Sequence, residues 1–226
     1  SEDIENIKID WVSGDIDIVI SAERDQIVVT EYAKRKFTDK NRLTLDESGK
    51  TLKINFEKNR FKFFNFGSNH KKKLIVEIPE KYVNQMKDLE CDSVSGRIYL
   101  EDIFKSEIGL SSVSGNITGT NLKSNSMTVS TTSGDINISG CKTDKIKAES
   151  VSGSIYIENI DAADMRTETA SGKTDISGSI SNEYNADTVS GRINAELRIA
   201  PEKINIDSVS GDVVVAVPDN SDANIE

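Results

Sequence analysis

Long apolar runs are missing from this sequence. The longest covers residues 213–217, far short of the ~20 residues a bilayer-spanning helix needs. Cysteine and histidine are scarce too. Cys91 and Cys141 stand far apart without a CxxC, and His70 is the one histidine. That excludes a Cys/His zinc site, leaves two buried free thiols as the expectation, and offers no spacing from which to build a nucleophile–base pair. Basic charge is in deficit: 28 Lys and Arg against 38 Asp and Glu give a net charge of −10 over 226 residues, which argues against a nucleic-acid binder. Apolar residues make up 36%; with Gly counted in place of Tyr this is roughly 40%, against a usual 45–50%. Low hydrophobicity with high charge is also the composition of disorder. The chain opens on Ser1 rather than Met, which is compatible with a removed upstream segment, so the compartment is not legible from this end.

What is there is a repeat, and it dismisses disorder. Ser93-Val94-Ser95-Gly96, Ser112-Val113-Ser114-Gly115, Thr131-Thr132-Ser133-Gly134, Ser150-Val151-Ser152-Gly153, Thr169-Ala170-Ser171-Gly172, Thr188-Val189-Ser190-Gly191 and Ser208-Val209-Ser210-Gly211 follow one another. Their glycines step by 19 residues five times and then by 20. Trp11-Val12-Ser13-Gly14 is an upstream relative. After each Gly, apolar residues alternate with polar ones, as in Asp135-Ile136-Asn137-Ile138; before it Met127 and Val129, or Ile146 and Ala148, do the same. Period 2 is the strand signature, so each unit holds two strands meeting at Ser-Gly. A third apolar point follows at Ile103, Leu122, Cys141, Ile160, Ile180 and Ile199, among turn formers.

The inward parity differs on the two sides of the Gly, so the chain flips there, and Gly, free to adopt positive φ, is the expected corner or bulge. Either the Ser/Thr three before the Gly or the Val two before it faces inward. In the first case Ser93, Ser112, Thr131, Ser150, Thr169, Thr188 and Ser208 form a ladder of hydroxyls, each bonded to its neighbour.

A unit of this size cannot bury its apolar face alone and must stack on its copies. The leucine-rich, hexapeptide and nonapeptide repeat signatures are all lacking. The expectation is an all-β, single-stranded right-handed β-helix, or solenoid, since β crossovers are right-handed. It forms one domain over 1–226, with about seven regular 19-residue rungs across 86–217. Residues 1–85, less regular, form the N-terminal rungs and a β cap that hides the first edge. The low apolar share then fits: rung 134–152 holds six apolar residues, Ile136, Ile138, Cys141, Ile146, Ala148 and Val151, enough for a narrow shaft.

The tandem [ST]-V-S-G-x-I pattern, preceded by a strand-rich stretch ending at Ile78-Pro79, resembles the bacterial DUF4097 family of adhesin-like β-strand repeat proteins. The resemblance spans nearly the whole chain. It implies a right-handed β-helix in a bacterial protein tied to the cell envelope, some relatives accompanying envelope-stress systems. It supplies no catalytic residues, and the adhesin label is itself an inference from fold.

One segment departs from the rest. Residues 58–73 hold six Lys and Arg, no acid and four of the seven Phe, so the remaining residues carry −16. Arg60, Phe61, Lys62, Phe63, Phe64, Phe66, Lys71, Lys72 and Lys73 are the candidate contacts to an anionic membrane surface, a glycan or a partner protein. The plainer alternative is a hairpin whose Phe rings pack over the open end of the shaft. A second candidate is the outward column Arg97, Asn116, Asp135, Ser154, Lys173, Arg192 and Asp212, where β-helix lyases carry Asp, Arg and Lys; a solvated ladder of mixed charge is the plainer account. Trp11 is expected to pack on the first rung. Tyr99 and Tyr156, on non-adjacent rungs, suit sheet shielding better than sugar stacking. Asn116-Ile-Thr and Asn137-Ile-Ser match the glycan sequon, without meaning in a bacterial protein. The expectation is a non-catalytic interaction module of the bacterial envelope, with no cofactor, metal or nucleic-acid partner. A carbohydrate-active β-helix enzyme and a sensor docking on anionic membrane remain the alternatives.

Overall fold

The period-2 segments become strands in a computed structural model that describes residues 4–34, 38, 42–56, 72–83, 85–218 and 224–225. In chain order they are β1 (Asn6–Ser13), β2 (Ile16–Ser21), β3 (Val28–Ala33), β4 (Thr44–Ser48), β5 (Thr51–Asn55), β6 (Lys72–Pro79), β7 (Asp88–Ser95), β8 (Ile98–Glu101), β9 (Glu107–Ser112) and β10 (Ile117–Thr120). There follow β11 (Lys123–Thr131), β12 (Ile136–Ser139), β13 (Lys142–Ser150), β14 (Ile155–Thr169), β15 (Thr174–Thr188), β16 (Ile193–Leu197), β17 (Lys203–Ser208), β18 (Val213–Ala216) and β19 (Asn224–Ile225). A 3-10 turn, Glu80–Tyr82, precedes β7.

The strands stack in two parallel ladders. One runs β5, β1, β7, β9, β11, β13, the second half of β14, the second half of β15, β17, β19. The other runs β6, β2, β8, β10, β12, the first halves of β14 and β15, β16, β18. This is a β-solenoid with 19-residue spacing. Equivalent residues meet one rung on, as in Ile117 with Ile136 and Ile136 with Ile155. The inward columns are buried: Ile98, Ile117, Ile136, Ile155, Thr174 and Ile193 form one, Ile103, Leu122, Cys141 and Ile160 another. Ile199 does not join the latter and is exposed. Tyr184 is wholly buried, and its hydroxyl reaches Thr167 Oγ1 at 3.4 Å.

Chain order and stacking order part company at the N-terminal end. The chain builds its second rung first, as β1 and β2. It then returns to lay β5 and β6 beneath it, and β7 and β8 continue on the far side. The first edge is closed by antiparallel strands, β4 on β5 and β3 on β6. At the other end β19 extends the ladder over β17, while no strand among the described residues lies over β18, and Val213 and Val214 are exposed.

The corner motif resolves residue by residue. The Ser/Thr faces inward: Ser93, Ser112, Thr131, Ser150, Thr169 and Thr188 are buried, and Ser208, on the last corner, is exposed. These hydroxyls do not bond chiefly to one another. Five of them cap their own corner: Ser112, Thr131, Ser150, Thr169 and Thr188 accept the Gly115, Gly134, Gly153, Gly172 and Gly191 N–H at 2.8–3.0 Å, while Ser93 and Ser208 donate to the Ser95 and Gly211 carbonyls at 3.4 and 3.3 Å. Thr131 and Ser150 also reach the carbonyl of the Gly one rung back, at 3.4 Å. The second Ser bonds backward as well: Ser114, Ser152, Ser190 and Ser210 donate to carbonyls of the preceding rung at 3.1–3.3 Å. The Val between them faces out, so Val151 is not a core residue.

The glycines are there for proximity rather than for φ. Only Gly14 and Gly96 of the corner column have positive φ. A Cβ on Gly134, Gly153 or Gly172 would lie 2.1, 1.7 or 1.9 Å from the carbonyl oxygen of the Gly beneath. The left-handed corner lies elsewhere, at Asp102, Asn121, Gly140, Asn159 and Gly178, again 19 apart. Asn and Asp tolerate that region because their short side chains bond locally; the Asn121 amide donates to the Asp102 carboxylate.

Substitution at the two corners therefore has unequal effects. Gly153→Ala is expected to destabilise by at least ~2 kcal/mol through overpacking, and Asn159→Gly to stay within ~1 kcal/mol of the parent. Urea unfolding of both variants measures the difference.

Candidate functional site

The basic, aromatic segment can be placed by its two ends. Asp10 pairs with Asn55 on one side and Asp92 on the other. Phe56, Trp11 and Ser93 thus share the column that carries hydroxyls in later rungs. Ile16 pairs with Leu74 and Ile98, so Lys72, Gly14 and Gly96 share the glycine column. A Cβ on Gly14 would strike the Lys72 carbonyl at 1.5 Å, the same approach seen between corner glycines. In regular rungs two residues join these columns. In the first rung the chain leaves at Phe56 and returns at Lys72, and residues 57–71 take the place of that two-residue turn.

The neck of this insertion is held shut by a buried amine. Lys72 Nζ donates to the Phe56 carbonyl at 2.7 Å, joining the two ends. It lies 2.8 Å from Glu31 Oε1, and both side chains are over nine-tenths buried. The Phe56 ring centroid is 3.9 Å from the ammonium and the Trp11 ring 5.7 Å, while Trp11 and Phe56 meet edge to face at 4.8 Å. The cation is thus paired, hydrogen-bonded and covered by rings, as a buried charge requires. Glu31 is held in turn by the Leu43 N–H at 3.0 Å. Trp11 can replace a hydroxyl here because the Gly14 N–H is satisfied by the Ser95 carbonyl. The Trp11 indole N–H finds no acceptor among the described residues.

The structure therefore divides the candidate residues. Arg60, Phe61, Lys62, Phe63, Phe64, Phe66 and Lys71 lie outside the described residues. Lys72, expected at a binding surface, is buried and engaged; its role is to close the neck. Lys73 is half exposed and paired with Asp17 at 2.7 Å, a carboxylate it shares with Arg97. The pairing of Lys72 with Glu31 could not be found from sequence, because Glu31 comes from an antiparallel edge strand with no motif.

The second candidate column has a structural use. Asp15, Asn116, Asp135 and Ser154 side chains accept the backbone N–H of Arg97, Asp135, Ser154 and Lys173 on the next rung, at 2.9–3.3 Å. Its cations are also paired: Arg97 with Asp17, Lys173 with Asp175 and Arg192 with Asp212. Across the other flank Lys147 bridges Glu149 and Glu168, and Arg166 bridges Glu168 and Asp187. The hydrogen bond from Arg166 holds the Glu168 carboxyl below its ordinary value. Tyr99 is occupied internally, donating to Glu101 at 2.9 Å with the Arg97 guanidinium over its ring.

Among the described residues no group of three or more His, Cys, Asp or Glu could hold a metal, and no helix is long and apolar enough to cross a membrane. Both cysteines are free and buried; burial pushes the Cys141 thiol up to about 12 and the Cys91 thiol higher still. Lys105 is buried with its amine on the Val83 carbonyl at 3.2 Å, and burial lowers it to about 8.

The profile of the Toastrack DUF4097 family matches residues 4–226. No curated protein matches the sequence. Among solved structures, a "putative adhesin" from Bacteroides fragilis NCTC 9343 aligns with TM-score 0.66 at 17% identity, over 95% of this chain and 92% of its own. A "putative cell adhesion protein" from Clostridium sporogenes ATCC 15579 aligns over 96% and 95% at 10% identity, with TM-score 0.27. The first likeness is one of fold; the second is too distant in shape to support an argument.

Two outcomes are expected. Lys72→Met leaves Glu31 buried and unpaired and should cost ~3–5 kcal/mol; adding Glu31→Gln, which can still accept from Leu43, should recover part of it. Both are read from denaturant midpoints. For Lys105, folding lowers the amine from 10.5 to about 8, so between these values the unfolded chain binds the extra proton. Stability should rise as pH goes from about 8 to 10.5. Subtracting the profile of Lys105→Met isolates that contribution.

Proposed function

The chain belongs to the Toastrack DUF4097 family, and from that premise we propose that it is a non-catalytic, adhesin-like interaction module of the bacterial envelope whose binding element is the basic aromatic insertion at residues 58–71. The observation that carries this reading is the exchange of a two-residue turn for a cationic, Phe-rich segment at one corner of an otherwise uniform shaft. The shaft supplies a rigid mount, since each rung is bonded to the next through backbone, Ser and Asp/Asn side chains. The buried Lys72 clamp closes the root of the segment on that mount. With the rest of the chain strongly acidic, an anionic surface would be repelled by the shaft and attracted at the insertion, which orients the molecule end-on.

An anionic surface is the target this chemistry suits best. Phe rings enter an interface, and each Lys or Arg close to it adds about 1 kcal/mol, lost as salt screens the attraction. The mixed-charge flank, with its acids paired to Lys and Arg, lends no support to a carbohydrate-active enzyme, which needs two free carboxylates facing one bond.

Co-sedimentation with vesicles of phosphatidylglycerol and phosphatidylcholine tests the proposal. Binding to the anionic vesicles, weakened at high salt and at least tenfold weaker in a Phe63→Ser, Phe64→Ser, Phe66→Ser variant of unchanged melting temperature, is the expected result. Unchanged binding, or loss of the fold in that variant, would assign the rings to a cap and overturn it.

A further inference from the structure

Two lysines among the described residues are buried, Lys72 and Lys105, and they differ in what they meet. Lys105 rests its amine on a backbone carbonyl, that of Val83. Lys72 meets a carboxyl as well, that of Glu31. In the other ion pairs between described residues the Lys or Arg side chain is over a third exposed.

Backbone register sets the buried contact. β3 runs antiparallel to β6 with Glu31 opposite Leu74, and Leu74 is in the core. Side chains directly opposite share a face, and so do residues two apart along a strand. Glu31 and Lys72 are therefore diagonal neighbours on the inward face.

The two oxygens of the Glu31 carboxyl are held differently. Oε2 accepts the Leu43 N–H at 3.0 Å. Oε1 lies 2.8 Å from Lys72 Nζ but out of line for a hydrogen bond, and no other donor among the described residues reaches it. Nζ itself donates to the Phe56 carbonyl at 2.7 Å, under the Phe56 and Trp11 rings. A buried carboxylate oxygen without a hydrogen bond is costly. One reaction removes that oxygen together with both buried charges.

We propose that Glu31 and Lys72 condense to an intramolecular isopeptide bond, a covalent tie between the edge strand β3 and the first residue of β6. The atoms balance without a co-reactant. One proton passes from the ammonium to Oε1, leaving a neutral amine and a carboxylic acid. The Nζ lone pair then attacks Cδ. Negative charge collects on Oε2, where the Leu43 N–H stabilises it as an oxyanion hole does. A second Nζ proton passes to the Oε1 hydroxyl, the Cδ–Oε1 bond breaks, and water leaves. The third proton stays on the amide nitrogen, donated to the Phe56 carbonyl, and Oε2 becomes the amide oxygen with its bond from Leu43 intact. Contact in one fixed geometry makes the step unimolecular, and the covering rings hold bulk water away from the amide, which opposes hydrolysis. The strand that closes the first edge is thereby joined to the root of the insertion by a bond rather than by an ion pair. This tie is independent of what the insertion binds.

Mass spectrometry tests it on the parent protein, held folded at physiological temperature for a week and then denatured. The chain should be lighter than its sequence by one water. Trypsin should release residues 25–34 joined to the Lys72-Lys73 dipeptide, because an acylated Lys72 is not cleaved. The join should survive hydroxylamine, which opens a succinimide. Lys72→Arg, which keeps a cation beside Glu31 but cannot form the amide, should retain the full mass and yield separate peptides. A parent of full mass with residues 25–34 released unjoined overturns the proposal. So does a missing water that maps elsewhere in the chain, and so does a joined product in Lys72→Arg, which would assign the bond to another amine.

Discussion

The close approach of one backbone to the next at the Ser-Gly corner is the constraint on which the rest depends. Rungs can meet at β-ladder spacing around a tight bend only if no Cβ stands between them. At Gly115, Gly134, Gly153, Gly172, Gly191 and Gly211 the carbonyl of the rung below occupies that space. Once the corner is packed this tightly its polar groups must be satisfied locally, which explains the inward hydroxyl on the Gly N–H and the outward Ser on the lower carbonyl. The left-handed corner across the rung, from Asp102 to Gly178, closes the coil with residues that accept positive φ. The apolar columns between the two corners then need only fill a narrow space with Ile, Leu, Val and Cys.

At the N-terminal end the same corner is opened. In the first rung Phe56 stands in the hydroxyl column and Lys72 in the glycine column, and residues 57–71 lie between them in the sequence where later rungs have two residues. The exchange introduces a buried charge, which Glu31, the Phe56 carbonyl and two rings offset. Glu31 is supplied by β3, one of the antiparallel strands that also close the first edge. Edge protection and the mounting of the insertion thus depend on the same strands. A solenoid that returns on itself to lay its first rung under its second gains an end that differs from every other rung, and that is where its chemistry differs too.

Several of the shaft's carboxylates hold the stack together: Asp17, Asp161, Glu168 and Asp187 pair with Arg or Lys of a neighbouring rung, and Asp15 and Asp135 accept the next rung's backbone N–H. The basic, aromatic segment that follows Phe56 in the first rung is the part of the sequence whose composition sets it apart from the shaft.

The 19-residue period, the two strands per rung, the inward Ile columns and the family were all legible in the sequence, because β-strand alternation and stacking are local and repeat without change. So was the peculiarity of residues 58–73, since charge and Phe content are properties of composition. Three things were decided only in three dimensions. The corner glycines looked like positions of positive φ, but the reason for them is a carbonyl 19 residues away, invisible to local reading. Lys72 looked like one cation of a surface cluster, yet it is buried, because its partner Glu31 arrives from a strand whose antiparallel pairing no motif announces. The order of the first two rungs is reversed relative to the chain, because β5 and β6 pair beneath β1 and β2. Local period determines what each rung is; only the pairing of distant backbone determines where each rung sits and which side chains it leaves to face the solvent.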